Sequence, residues 1–126
     1  MAKDRKEWLK QSDYDFDTAE YMFAGGRYFY AVFMCHIAIE KALKGLYNKI
    51  TNEVPAKSHN LIYFLNKLEI DPPEKIGKFL VKINQASVVT RYPEDITKLK
   101  KTYTKSVVKS IISDTRKTLE WIKKQY

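Results

Sequence analysis

The chain holds one cysteine, two histidines, four glycines and four prolines in 126 residues. A lone cysteine, Cys35, cannot close an internal disulfide, and its apolar neighbours predict a buried thiol in a reducing cytoplasm. With His36 and His59 it gives no zinc spacing, and no carboxylate run follows the calcium-loop pattern, so no metal site is expected. The glycines stand as one pair, Gly25-Gly26, and as isolated Gly45 and Gly77, which excludes a phosphate-cradling loop. No serine has a nucleophile-elbow context, and no cofactor is expected. No apolar run approaches the ~20 residues that cross a bilayer, and no basic-then-apolar leader opens the chain, so a cytoplasmic protein without a membrane span is expected.

What the sequence does have is apolar material in regular order. At 44% apolar and 30% charged it fits an ordered globular protein, and residues 1–126 suffice for one domain. The net charge of +8 is unevenly placed: residues 98–126 hold nine Lys/Arg against Asp114 and Glu120. Such an excess suits a phosphate backbone or an anionic membrane surface, or is a solvated helix face.

Apolar spacing is helical nearly throughout. Trp8, Ser12, Phe16, Ala19 and Phe23 mark an amphipathic helix from about Asp4 to Phe23, opposite Asp13, Asp17 and Glu20. Gly25-Gly26 ends it and turns the chain back into a second helix, about Tyr28 to Ile50, which carries Ala31, Val32, Cys35, Ile39, Leu43 and Leu46. Phe29, Tyr30, Phe33 and Met34 make the start of that helix apolar all round, which suggests a homodimer interface. Ser58 is the expected cap of a short helix bearing Leu61, Phe64, Leu65 and Leu68. Asp71-Pro72-Pro73-Glu74 opens another with Ile76, Phe79, Leu80, Ile83 and Ala86. An extended link over Val88 to Asp95, around Pro93, leads to a last helix from Thr104 to Lys124, capped by Thr102 or Thr104. The expected fold is all-α: an up-and-down antiparallel helical bundle with four long helices and one short one.

His36, Glu40 and Lys44 recur every four residues on one helical face, either as a solvated ion pair beside a core histidine or as the polar edge of a groove. His59, next to Ser58, suits a capping role or a ligand contact. Arg91 suits bidentate phosphate or carboxylate binding, or a salt bridge that fixes its link. Lys98, Lys100 and Lys101 open the basic C-terminal segment.

Trp8 with Asp15-Phe16 and Ala19, the run Ala38-Ile39-Glu40-Lys41-Ala42-Leu43-Lys44, the tetrad Ser58-His59-Asn60-Leu61 and Arg91-Tyr92-Pro93 together resemble the HEPN (higher eukaryote and prokaryote nucleotide-binding) domain family, from about Glu7 to Trp121. The resemblance implies a helical bundle, usually dimeric, often encoded beside a minimal nucleotidyltransferase and sometimes acting as an RNA-cutting toxin. Active members use an arginine followed, about four to six residues later, by a histidine. Arg91 matches the arginine, but Ile96, Thr97 and Lys98 fill the histidine positions, and the tyrosine that a nucleotidyltransferase modifies has no match. The expectation is therefore a noncatalytic nucleotide- or RNA-binding module using Arg91, His59, Lys44, Glu40, His36, Lys98, Lys100 and Lys101. The alternatives are an endoribonuclease with Arg91 and His59 as its catalytic pair, and a structural or membrane-surface protein.

Overall fold

Four of the six helices start at side chains that serve free amides, at Asp4, Asn60, Asp95 and Thr104. A computed structural model describes residues 3–126 and contains six helices, with no strand among the described residues. Helix α1 (Arg5–Ala24) is capped by Asp4, whose carboxylate accepts from the Glu7 amide at 2.9 Å. Gly26, at φ +78°, reverses the chain, and the Arg27 amide closes the turn on the Met22 carbonyl at 2.8 Å. Helix α2 (Tyr28–Thr51) follows at once and runs back along α1.

Asn60 caps α3 (Leu61–Leu68), with its side chain accepting from the amides of Ile62 and Tyr63. Pro73 precedes α4 (Glu74–Arg91), Asp95 caps α5 (Ile96–Thr102) and Thr104 caps α6 (Lys105–Lys124).

The central element is α2, which touches all five other helices. Its Ala31, Val32, Cys35, Ala38, Ile39, Ala42, Leu43 and Leu46 are fully buried, joined by Leu61, Phe64, Leu80, Val108 and Ile122. Each of the larger side chains contributes about 1.5–3 kcal/mol by leaving water. Against α1 the packing is tight enough for specific pairs. The Ser12 hydroxyl donates to the Ala38 carbonyl at 2.6 Å, and Lys41 meets Asp15 at 2.7 Å. Gly45 lets Trp8 approach so closely that a Cβ at position 45 would lie 2.8 Å from the Trp8 Cβ.

Three expectations need correction. A second short helix, α5, exists where none was expected, because only Leu99 of its seven residues is buried and no stripe announces it. The segment from Val88 is not extended: α4 continues to Arg91, since Pro93 constrains only the residue before it, Tyr92, which leaves the helix at φ −129° and ψ 72°. Asn60, not Ser58, caps α3; the Ser58 hydroxyl accepts from the Asn60 amide at 3.1 Å and shapes the turn into the cap.

Candidate functional site

Successive turns of α2 bring His36, Glu40 and Lys44 to one face. The Glu40–Lys44 pair is not solvated: the two side chains are 7% and 9% exposed and join at 3.0 Å. Lys44 also lies 5.8 Å from the centre of the Trp8 ring and 5.7 Å from that of Phe64, so aromatic faces replace part of the water its ammonium has lost. Breaking so buried a pair from one side costs about 3–5 kcal/mol.

The other Glu40 oxygen, Oε1, lies 2.9 Å from Nδ1 of His59, which the link between α2 and α3 delivers. One carboxylate thus binds a buried ammonium and a 58% exposed imidazole together. The carboxylate selects the Nδ1–H tautomer of neutral His59, leaving Nε2 as an acceptor. His36 is fully buried between these groups and α4, and neither ring nitrogen has a hydrogen-bond partner. Its Nδ1 is 3.9 Å from Glu40 Oε1, too far for a hydrogen bond. Burial holds the His36 imidazole below its ordinary pKa, against the opposing pull of the Glu40 charge and with a smaller push from Arg91.

Asn84 of α4 fastens the cluster. Its carbonyl accepts from the Leu61 amide at 2.9 Å, and its amide nitrogen donates to the Asn60 side chain at 3.1 Å. Two turns further along α4, Arg91 stacks on Phe33, with the guanidinium carbon 5.0 Å from the ring centre. Its Nε is buried without a partner, and no carboxylate pairs with Arg91 among the described residues, so the salt-bridge reading of this residue has no counterpart there. Phe33 and Glu40, the contacts of Arg91 and His59, are two turns apart on α2, and His36 lies on the turn between them.

His36, Glu40, Lys44 and His59 are therefore one contiguous cluster, and Arg91 flanks it. Lys98, Lys100 and Lys101 lie outside it, exposed on α5. Of the expected interface residues, Tyr30 is exposed and Phe33 and Met34 are half-buried. Phe29 is buried within the chain, its ring 4.4 Å from that of Tyr30, and offers little area to a partner. Cys35 is buried, as its neighbours predict, and desolvation pushes its thiol up to about 12. Sequence reasoning gave no site role to Trp8, Asn60 or Asn84. Asn60 carried a usable signal, an Asn directly before an apolar run; Asn84 carried none.

No group of three or more His, Cys, Asp or Glu among the described residues is placed to hold a metal ion, and no helix is long and apolar enough to cross a membrane. No curated protein matches the chain. Among solved structures it resembles TT1696 from Thermus thermophilus, at TM-score 0.83 and 24% identity over 97% of this chain and 98% of that one. It also resembles ST0689, an archaeal HEPN homologue, at TM-score 0.78 and 27% identity over 98% of both chains. The family model for the HEPN domain matches residues 5–125, the extent over which all six helices run, and the chain belongs to the HEPN domain family.

Proposed function

We propose that this chain is a noncatalytic nucleotide- or RNA-binding module, acting as a dimer beside a minimal nucleotidyltransferase partner. The observation that carries the binding reading is a set of cations without carboxylate partners among the described residues: Arg91 at the end of α4 and Lys98, Lys100 and Lys101 on α5. Unpaired guanidinium and ammonium groups on neighbouring elements bind successive phosphates and release counter-ions. His59 adds a hydrogen-bonding edge, held by Glu40 and Lys44, with His36 packed behind it. The partner protein rests on family membership. The dimer rests on Tyr30, Phe33 and Met34, and light scattering on wild type and Tyr30→Asp tests it: a dimer weakened by the substitution is expected, and a monomeric wild type at all concentrations contradicts it.

Two features support a module that does not cut. The positions that would carry the histidine beyond Arg91 hold Ile96, Thr97 and Lys98 in the first turn of α5, none of which exchanges protons near neutral pH in its ordinary state. His59 is the exposed imidazole among the described residues, and Glu40, not Arg91, holds it, while Arg91 lies over Phe33. One observation favours the rival, a metal-independent endoribonuclease: the Glu40–His59 dyad has the form of an oriented general base. Incubation of single-stranded and structured RNA with wild type, Arg91→Ala and His59→Ala decides between them. Intact RNA is expected throughout; cleavage abolished by both substitutions establishes the enzyme.

A further inference from the structure

At the end of the bundle where α2, α5 and α6 begin or end, a cavity of about 470 Å³ is lined by Arg27, Tyr28, Tyr30, Lys100, Tyr103 and Lys105, among others, so that it borders the Tyr30 edge of the proposed dimer face. Its size is that of a site for one small organic molecule. The lining is predominantly apolar and aromatic, contains no acidic residue, and includes three cations. None of Arg27, Lys100 and Lys105 forms an ion pair among the described residues. An aromatic hollow with three uncompensated positive charges is electrostatically complementary to an anion that carries a flat ring, and a ring bearing a phosphate meets both requirements.

Helices α2 and α6 start at the cavity and α1 and α5 end at it, so the positive charge there comes from the side chains and not from the helix ends. The first turn of α2 has no side-chain cap at Arg27, in contrast to α1, α3, α5 and α6, each of which has one. Tyr103 is partly buried, and desolvation raises its hydroxyl above the ordinary value, so it stays neutral beside the lysines and offers its ring and a hydroxyl donor.

We propose that this cavity is a single-nucleotide subsite, in which Tyr28 and Tyr103 form the walls for a base and Arg27, Lys100 and Lys105 hold its phosphate. The proposal rests on the nucleotide- or RNA-binding reading above and places one nucleotide away from the His59–Glu40 cluster. The occupant is a free nucleoside phosphate or one nucleotide of an RNA strand; the chemistry is shared.

The test is an amide NMR titration of the whole chain with adenosine 5′-monophosphate, inorganic phosphate, adenosine and a short single-stranded RNA. The monophosphate is expected to shift the amides of Arg27, Tyr28, Tyr103 and Lys105, and to bind at least about tenfold more tightly than phosphate or adenosine alone, since each of these lacks one half of the recognition. Arg27→Glu combined with Lys105→Glu, both exposed side chains, is expected to weaken the monophosphate at least about tenfold with the rest of the spectrum unchanged. RNA shifting the same amides assigns the site to a strand, and RNA leaving them unmoved assigns it to a free nucleotide. Monophosphate shifts that are absent or confined to Arg91 and His59, or binding that survives the double substitution, overturn the subsite. RNA binding to the α4–α5 cations survives that outcome if the wider reading holds and is absent if that reading fails too.

Discussion

Glu40 and His59 stand nineteen residues apart in the chain and meet at 2.9 Å, carboxylate Oε1 to imidazole Nδ1, while the second Glu40 oxygen holds Lys44 at 3.0 Å. The ammonium has lost most of its water and has Glu40 as its counter-ion. Glu40→Gln therefore leaves a buried positive charge uncompensated and is expected to cost about 3–5 kcal/mol. Glu40→Gln with Lys44→Met removes that charge too and is expected to recover most of the loss. Urea unfolding of the three proteins checks both statements, and equal loss in the single and double variants contradicts them.

Gly45 sits where α2 passes closest to α1. A methyl group there meets the Trp8 Cβ at 2.8 Å and also crowds the hydroxyl of Tyr126, which donates to the Ala42 carbonyl. Both neighbours are held by packing, so Gly45→Ala is expected to destabilise the fold by about 1–3 kcal/mol, although alanine is the better helix former. A melting temperature at or above that of wild type contradicts this close approach.

His36 gives stability a pH dependence of known sign. Its pKa in the fold lies below the ordinary 6.5, with burial the first cause, so the unfolded chain binds the proton more readily. The fold is unaffected by this group above pH 6.5 and loses stability as pH falls below it, until the folded-state pKa is passed. The urea midpoint of wild type is expected to drop between about pH 7 and pH 5, and to drop less in His36→Gln. Identical pH slopes in the two proteins contradict the assignment.

The helical class and the core of α2 are legible in the sequence because apolar residues recur at helical spacing over long stretches, as Ala31 to Leu46 do. Helix α5 is not, since seven residues with one buried side chain carry no periodicity. The link before it reads as extended only if Pro93 is credited with straightening residues it does not touch. At the site, the spacing of His36, Glu40 and Lys44 places them on one face, but the rule for such pairs describes exposed helices. The burial of Glu40 and Lys44 comes from Trp8, Phe64 and His59, which three other parts of the chain supply. Arg91 is legible as an unusual cation, but its stacking on Phe33 is not, because α4 and α2 are brought together only by the fold.

The central claim is that the unpaired cations Arg91, Lys98, Lys100 and Lys101 bind phosphates along a strand. Its most direct measurement is the salt dependence of binding to a labelled single-stranded RNA, from about 50 to 200 mM salt. Four phosphate contacts predict a slope of roughly −3 in log affinity against log salt, falling to about −1 or less when Lys98, Lys100 and Lys101 are changed to Glu. A slope near zero in wild type, or one unchanged by the three charge reversals, contradicts the claim.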